Sequence, residues 1–237
     1  MRRVFLSVAT AMVLAGCVTT PAPVAKAPQA AAPQTVAARL SAQKAARQFV
    51  EVVQTVEPVA ERECRARARG ANCDFQIVVD DRPGQPPNAF QTVDKTGRPV
   101  IAFTLALIGD VRNADELAFV MGHETAHHIA GHIRRQQENA TAGAVIFGGL
   151  AVLTGGDASA VQSAQELGAA VGARSYSKEF ELEADALGTV ITKRAGYDPV
   201  RGAEFFTRIP DPGNRFLGTH PPNAARLETV RRTAAKL

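Results

Sequence analysis

Most hydrophobic residues of this chain recur at helical spacing. Apolar side chains every three or four positions over residues 36–58 predict an amphipathic helix that packs on the body of the protein and ends at a proline. Further helices are predicted over residues 157–173 and 178–195. Asp198 and Pro199 then suit the N-cap and the first position of another helix. The pattern therefore predicts a protein made mainly of helices.

One more helix is predicted to begin just before a run of histidines. Asn113 suits its N-cap, and Glu116, three residues later, completes a capping-box pattern. We expect this helix to extend to about Gln137. Its apolar face would consist of Leu117, Val120 and Met121.

Short runs of β-branched and aromatic residues predict a few strands. Two strands are expected over residues 75–79 and 100–103, and a third is expected to begin at Asn88. Turn residues rich in proline and glycine separate them. We therefore predict an α+β fold dominated by helices, with a small antiparallel sheet.

The apolar run AGAVIFGGLAVL, residues 142–153, has two interpretations. We expect a buried helix, because the run is far shorter than a membrane span. The alternative is a segment that dips into a membrane or gates access for a substrate.

The chain begins with the three parts of a secretory signal peptide. Arg2 and Arg3 precede an apolar run, and small residues lead to Cys17. This junction resembles the lipobox of bacterial lipoproteins, which implies removal of residues 1–16 and acylation of Cys17. The alternative is a plain signal peptide, in which this cysteine would have no role. Residues 17–35, rich in proline and alanine, would then be a spacer before a domain over residues 36–237.

Composition excludes some functions. The formal net charge is +4, part of which lies in the predicted signal peptide, so we expect no nucleic-acid partner. The chain has no tryptophan and two tyrosines, which disfavours an aromatic platform for sugars or bases. Cys64 and Cys73 lie close together in sequence, and we expect a disulfide in an oxidising compartment, with half of a metal site as the alternative.

Four of the five histidines lie within residues 123–132, and two of them form the pattern HExxH. Positions i and i+4 share one helix face, so His123 and His127 can reach one metal ion. Glu124 is rotated beside the ion and could take a proton from water. The pattern predicts a zinc site that still needs a third protein ligand.

A third histidine ten positions after the first would indicate a metzincin, but that position holds Ile133. His128 and His132 point away from the ligand face, and we expect them at the surface or behind a ligand. Carboxylates of a second helix are better candidates. Glu181 and Asp185 are spaced i, i+4, so one could bind zinc while the other steers a ligand histidine or helps with protons.

Several motifs together resemble the gluzincin zinc metallopeptidases of the HtpX, CaaX-prenyl protease and Oma-like family. Within this family, the chain is most similar in kind to periplasmic lipoproteins of the BepA and LoiP type. The resemblance covers most of residues 75–232. It rests on Asn88-Ala89-Phe90, DELAFVMGHETAHHIAGH at 115–132, SYSKEFELEADALG at 175–188, AGYDP at 195–199 and THPPNAAR at 219–226. The resemblance implies a zincin-like domain.

The same resemblance implies roles for individual residues. Glu181, the first residue of ExxAD, is the expected third zinc ligand, and Asp185 is the last residue of that motif. Glu183 between them is expected to be structural. His220 matches a His-Pro motif expected to approach the zinc and stabilise the transition state or act as a switchable ligand. Arg226 is expected to brace this loop through a carboxylate.

We therefore expect an endopeptidase with one Zn²⁺ per chain on the periplasmic side of the outer membrane, anchored by lipid. The resemblance implies misfolded or unassembled envelope proteins as its polypeptide substrates, and the outer-membrane assembly machinery as a possible partner. One alternative is a chaperone or assembly factor with a gated, rarely active zinc site. Another is a structural zinc lipoprotein, which the free fourth ligand position disfavours.

Overall fold

The computed structural model describes residues 36–215 and 218–237. The predicted signal peptide over residues 1–16, the lipidation site Cys17 and the spacer over residues 17–35 lie outside the described residues.

The described residues form mainly helices. In chain order the elements are α1 (Val36–Arg67), β1 (Gln76–Asp80), β2 (Ala89–Val93), β3 (Pro99–Thr104), α2 (Leu105–Asp110), α3 (Ala114–Ile129), α4 (His132–Leu153), α5 (Ala158–Arg174), α6 (Ser177–Arg194), α7 (Pro199–Gly202), a 3₁₀ turn (Ala203–Thr207) and α8 (Asn223–Ala234). The helix-dominated α+β fold is confirmed.

The sheet has the expected strands but a different topology. Its order is β1-β3-β2, with β2 antiparallel and β1 parallel to the central strand β3. The sheet is therefore mixed, and the prediction of an antiparallel sheet is wrong. The reason is that the connection over residues 81–88 takes the chain from β1 to the far side of the position that β3 occupies, so β3 lies between the two earlier strands and pairs in parallel with β1. This order leaves β2 as an edge strand.

Helix α3 begins as predicted but ends earlier. The side chain of Asn113 accepts a hydrogen bond from the amide of Glu116 at 3.0 Å. The Glu116 carboxylate accepts a hydrogen bond from the backbone amide of Arg112 at 2.8 Å. In a standard capping box the donor would be the amide of the N-cap residue, which is Asn113, one residue later. At the other end Gly131 adopts φ 67° and ψ 33°, the left-handed conformation that ends helices. The expected continuation to Gln137 is wrong, because α3 ends at Ile129 and a separate helix, α4, begins at His132.

Helix α1 continues past Pro58 to Arg67, beyond its predicted end. Pro58 itself is exposed, but the opposite face of α1 is buried both before and after it along the chain, and this packing outweighs the backbone hydrogen bond that the proline removes. This face comprises Val52, Val56, Val59 and Ala60, and it packs in one core with side chains of the sheet and of α3. A disulfide joins Cys64 near the end of α1 to Cys73 just before β1.

Helices α4 and α5 pack together along glycines. A Cβ atom added to Gly143 would lie 2.0 Å from the carbonyl oxygen of Gly168, and one added to Gly172 would lie 2.0 Å from that of Asn139. The remaining faces of the apolar run 142–153 are exposed, and Leu153 is 85% accessible. The predicted burial of this run is wrong, because α4 contacts α5 along one narrow face only. Among the helices of residues 36–215 and 218–237, none combines the length and apolar character that a membrane span requires.

Candidate metal centre

Two helices that carry the candidate ligands pack with their backbones in contact. A Cβ atom on Gly188 of α6 would lie 2.8 Å from the amide nitrogen of His123 in α3. One on Gly122 would lie 2.9 Å from the carbonyl oxygen of Gly188. Because glycine has no Cβ, the helices approach closely enough for a carboxylate of α6 to reach the histidines of α3.

The described residues include one group of side chains suited to hold a metal ion, formed by His123, His127 and Glu181. Their nearest ligand atoms are 3.0 Å apart between the two Nε2 atoms, 3.6 Å from His123 to Glu181 and 3.4 Å from His127 to Glu181. Four ligands held about 2.0–2.1 Å from a tetrahedral zinc ion are separated by about 3.3 Å. The donor set and its spacing therefore fit zinc, with the fourth position left for water or substrate.

His123 is buried and supported from behind by a carboxylate. Its Nδ1 lies 2.9 Å from Oδ1 of Asp185, whose side chain is fully buried. Burial opposes protonation of His123, but the hydrogen bonds to Asp185 and Glu181 outweigh it and raise the pKa of the ring to about 10. With Nδ1 held by Asp185, Nε2 is directed toward the metal site.

Arg226 of α8 closes the buried side of the site. It donates from Nε and Nη2 to the two carboxylate oxygens of Asp185, at 2.8 and 2.7 Å. Its guanidinium carbon lies 3.8 Å from the centre of the Phe206 ring, and its Nη2 lies 3.5 Å from Glu181. Burial alone would raise the pKa of Asp185, but Arg226 and His123 lower it, so the carboxylate stays charged.

His127 has a different partner. Its Nδ1 lies 2.8 Å from Nδ1 of His132, and Nε2 of His132 lies 3.2 Å from Oε2 of Glu183. Burial lowers the pKa of His132 to about 4 despite the opposing effect of Glu183, so the ring is neutral at neutral pH. His132 is therefore a buried neighbour of a ligand and not a surface residue. His128 instead contacts the carbonyl of Asn72 at 2.7 Å, away from the ligand group.

Two cavities meet at the ligand group. The larger, of about 690 Å³, has apolar walls from Leu107, Phe205 and Ile209. The smaller has a volume of about 220 Å³ and is bordered by Gln91 of the edge strand. Both are lined by Glu124, His127, Glu181 and His220. A chain lying across both cavities would pass over the ligands and beside Glu124.

His220 lies at the mouth of the site. Its Nε2 is 4.0 Å from Oε2 of Glu181, its side chain is 54% exposed, and its Nδ1 lies 2.9 Å from the hydroxyl of Thr219. The structure thus brings together the predicted site residues His123, Glu124, His127, Glu181, Asp185, His220 and Arg226. Sequence reasoning did not identify the apolar cavity wall, because its members lie on α2, the 3₁₀ turn and the following loop and share no motif.

A model described as peptidase family M48 matches residues 46–234. The chain belongs to this family. Its metallopeptidases are zinc-dependent, in agreement with the donor set formed by two histidines and one glutamate.

Curated relatives are longer proteins. The chain is 29% identical over 147 residues to the beta-barrel assembly-enhancing protease of Escherichia coli K12, covering 53% of the chain and 28% of the relative. It is 30% identical over 145 residues to the protease of the same name from Yersinia pestis, covering 56% and 30%. It is 28% identical over 166 residues to the mitochondrial metalloendopeptidase OMA1 of Saccharomyces cerevisiae, covering 66% and 46%. The chain thus spans about a quarter to a half of these relatives.

Proposed function

We propose that this protein is a zinc-dependent endopeptidase with one zinc ion held by His123, His127 and Glu181. The observation that carries this proposal is the convergence of these three side chains, at ligand-to-ligand spacings that suit zinc, beside Glu124 in an open cavity. A structural zinc site would normally be closed by a fourth protein ligand. Here the cavity gives water and substrate access to the ligand group.

The chemistry that zinc supplies in such a site is Lewis acidity, which makes water a nucleophile at neutral pH. Glu124 lines the cavity next to the ligands and would accept the proton of the attacking water. It would then return this proton to the leaving amine. His220 at the mouth of the site would donate a hydrogen bond to the developing oxyanion.

An extended polypeptide is the substrate that the cleft fits best. The edge strand β2 pairs with β3 on one side only, and Ala89 and Gln91 border the two cavities. A substrate strand could add to this edge through backbone hydrogen bonds, which read little of the side-chain sequence. Such recognition would suit misfolded or unassembled proteins of the bacterial envelope. The Escherichia coli and Yersinia pestis relatives are named beta-barrel assembly-enhancing proteases, which supports the assembly of β-barrel proteins as the setting.

We further propose that acylated Cys17 anchors the protein at the periplasmic side of the outer membrane, following a signal peptide over residues 1–16. The lipobox-like junction at residues 14–17 supports this placement. The outer-membrane assembly machinery would be a natural partner at that location.

A second candidate function is a chaperone or assembly factor with a gated zinc site. The proximity of His220 to Glu181 favours it, because a histidine at this position could occupy the free ligand position and exclude water. Catalysis would then require movement of His220 away from the site.

The test compares the full chain, purified in detergent, with Glu124→Gln and with Glu179→Gln, which changes an exposed glutamate of the same helix as Glu181. Zinc content and casein cleavage are measured for each. We expect one zinc per chain in all three and loss of cleavage in Glu124→Gln only. A wild-type chain without zinc would refute the metal site. Zinc in every form with no cleavage by any would favour the chaperone.

A further inference from the structure

The hydrogen bond behind His127 comes from a residue outside both the HExxH and ExxAD patterns. We propose that His132, held by Glu183, is a positioning residue that fixes the tautomer and ring orientation of His127 for zinc binding. This inference rests on the proposed zinc site. It is carried by the contacts His127 Nδ1 to His132 Nδ1 at 2.8 Å and His132 Nε2 to Glu183 Oε2 at 3.2 Å.

The order of these contacts allows only one arrangement of protons when metal is bound. Nε2 of His127 must be free of a proton to be a ligand, so its Nδ1 carries the hydrogen and donates it to His132. Nδ1 of His132 is then the acceptor, and its Nε2 carries the hydrogen that is donated to Glu183. Each nitrogen of both rings has one role. The opposite tautomer of His127 would carry its proton on the ligand nitrogen Nε2. It would also leave two unprotonated Nδ1 atoms facing each other, unless His132 changed its tautomer as well.

His132 is itself held firmly in place. Its ring stacks on that of Phe180, with centroids 4.6 Å apart and an angle of 11° between the planes. Its carboxylate partner Glu183 also accepts a hydrogen bond from Nη1 of Arg135 at 2.7 Å. The left-handed turn at Gly131 starts α4 at His132 and so brings this ring back toward α3. The side chain is 5% exposed, which leaves it little freedom to rotate.

The two histidine ligands therefore have separate supports. Asp185 fixes His123 through Nδ1, and His132 fixes His127 through the same ring atom. Partners of this kind behind metal-bound histidines typically contribute about 10- to 100-fold to metal affinity. A residue that merely filled the space between α4 and α6 would contribute nothing specific to zinc. The two explanations can therefore be separated by changing the hydrogen bond while the ring shape is kept.

The experiment uses the full chain in detergent and measures the zinc dissociation constant by competition with a chromophoric chelator. His132→Phe keeps an aromatic ring to stack on Phe180 but removes the acceptor for His127. His132→Asn can place its Oδ1 near the position of Nδ1 and restore the acceptor. His128→Phe is the matched control, because His128 is on α3 but contacts the carbonyl of Asn72 and not the ligand group.

We expect His132→Phe to bind zinc about 10- to 100-fold more weakly than the wild type. We expect His132→Asn to recover most of this loss and His128→Phe to match the wild type. Equal affinities of the wild type and His132→Phe would overturn the inference while leaving the zinc site intact. The inference would also fail if Asn bound zinc as weakly as Phe, since the loss would then reflect packing. A wild-type chain that binds no zinc would instead refute the proposed function.

Discussion

Arg226 and Asp185 form a bidentate ion pair directly behind the ligand His123. Both side chains are almost completely buried, at 7% and 0% exposure, and the two hydrogen bonds measure 2.8 and 2.7 Å. Removal of one member of a buried pair leaves the other charge without compensation. We expect Arg226→Met to lower the free energy of unfolding by about 3 to 5 kcal/mol, measured by urea denaturation at pH 7 with chelator present.

The matched control for this change is Arg232→Met, at an exposed position of the same helix. This control should change the free energy of unfolding by no more than about 0.5 kcal/mol. A loss in Arg226→Met as small as that of the control would show that solvent or protonated His123 compensates Asp185 without the arginine.

The close approach of α3 and α6 makes a prediction about Gly188. A methyl group on this residue would lie 2.8 Å from the backbone nitrogen of His123 and 3.0 Å from its Cα. These backbone atoms cannot rotate away, so the helices must separate and Glu181 must move from the two histidines. We expect Gly188→Ala to destabilise the protein by about 1 to 3 kcal/mol and to weaken zinc binding, measured by urea denaturation and chelator competition.

Gly149→Ala provides the comparison for Gly188→Ala. Gly149 lies inside α4, where an added Cβ would meet nothing within 4 Å. Alanine should therefore be neutral or stabilise the helix by up to about 1 kcal/mol, with no effect on zinc. If both glycine variants behaved alike, close packing at Gly188 would not control the position of Glu181.

The candidate ligands could be predicted from sequence because helical geometry fixes their relation. His123 and His127 share a helix face because residues four positions apart in a helix lie on the same side. Glu181 was predicted through the ExxAD motif of the family that the sequence resembles. The support of His127 could not be predicted in the same way. It depends on one left-handed residue, Gly131, and the sequence does not say whether a glycine ends a helix or continues it. His132 would lie on another face if α3 continued to Gln137.

In the fold as well, features set by neighbouring residues could be predicted, whereas features set by contacts between distant residues could not. Strand positions follow from the β-branched runs, but strand order depends on where the connection over residues 81–88 crosses, which no local pattern encodes. The apolar composition of residues 142–153 predicted a buried helix, and nothing in the local sequence indicates that the helix is exposed. Its exposure results from packing on α5 through Gly143 and Gly168, which covers one narrow face of the helix.

Glu63 of α1 pairs with Arg194 of α6 and makes the stability of the fold depend on pH. Burial raises the pKa of this carboxyl, but hydrogen bonds from Arg67 and Arg194 outweigh it, so the pKa lies below its ordinary value. A carboxyl with a lowered folded-state pKa stabilises the fold above its unfolded pKa of about 4.3 and loses this effect as pH falls through the folded value. We expect Glu63→Gln to cost about 1 kcal/mol at pH 7, a difference that shrinks toward pH 3.

The measurement is urea denaturation of wild type and Glu63→Gln at several values between pH 7 and pH 3. Glu61→Gln is the control, since Glu61 pairs at 3.2 Å with Arg65 in the same helix and does not join α1 to α6. It should cost less than about 0.5 kcal/mol at pH 7. A Glu63→Gln difference that stayed constant down to pH 3 would mean that the cost reflects packing of the side chain and not its charge.

The disulfide between Cys64 and Cys73 closes a loop with a sequence separation of 9 and ties the end of α1 to the start of the sheet. In the chain-entropy model a loop of this size contributes about 2 to 3 kcal/mol, because the cross-link restricts the unfolded chain. We expect dithiothreitol to lower the free energy of unfolding of the wild type by this amount and to leave Cys64→Ala/Cys73→Ala unaffected. The wild type and the double variant should each contain one zinc ion per chain, because the three candidate ligands do not include either cysteine. A double variant that bound less zinc would support the alternative in which these cysteines form half of a metal site.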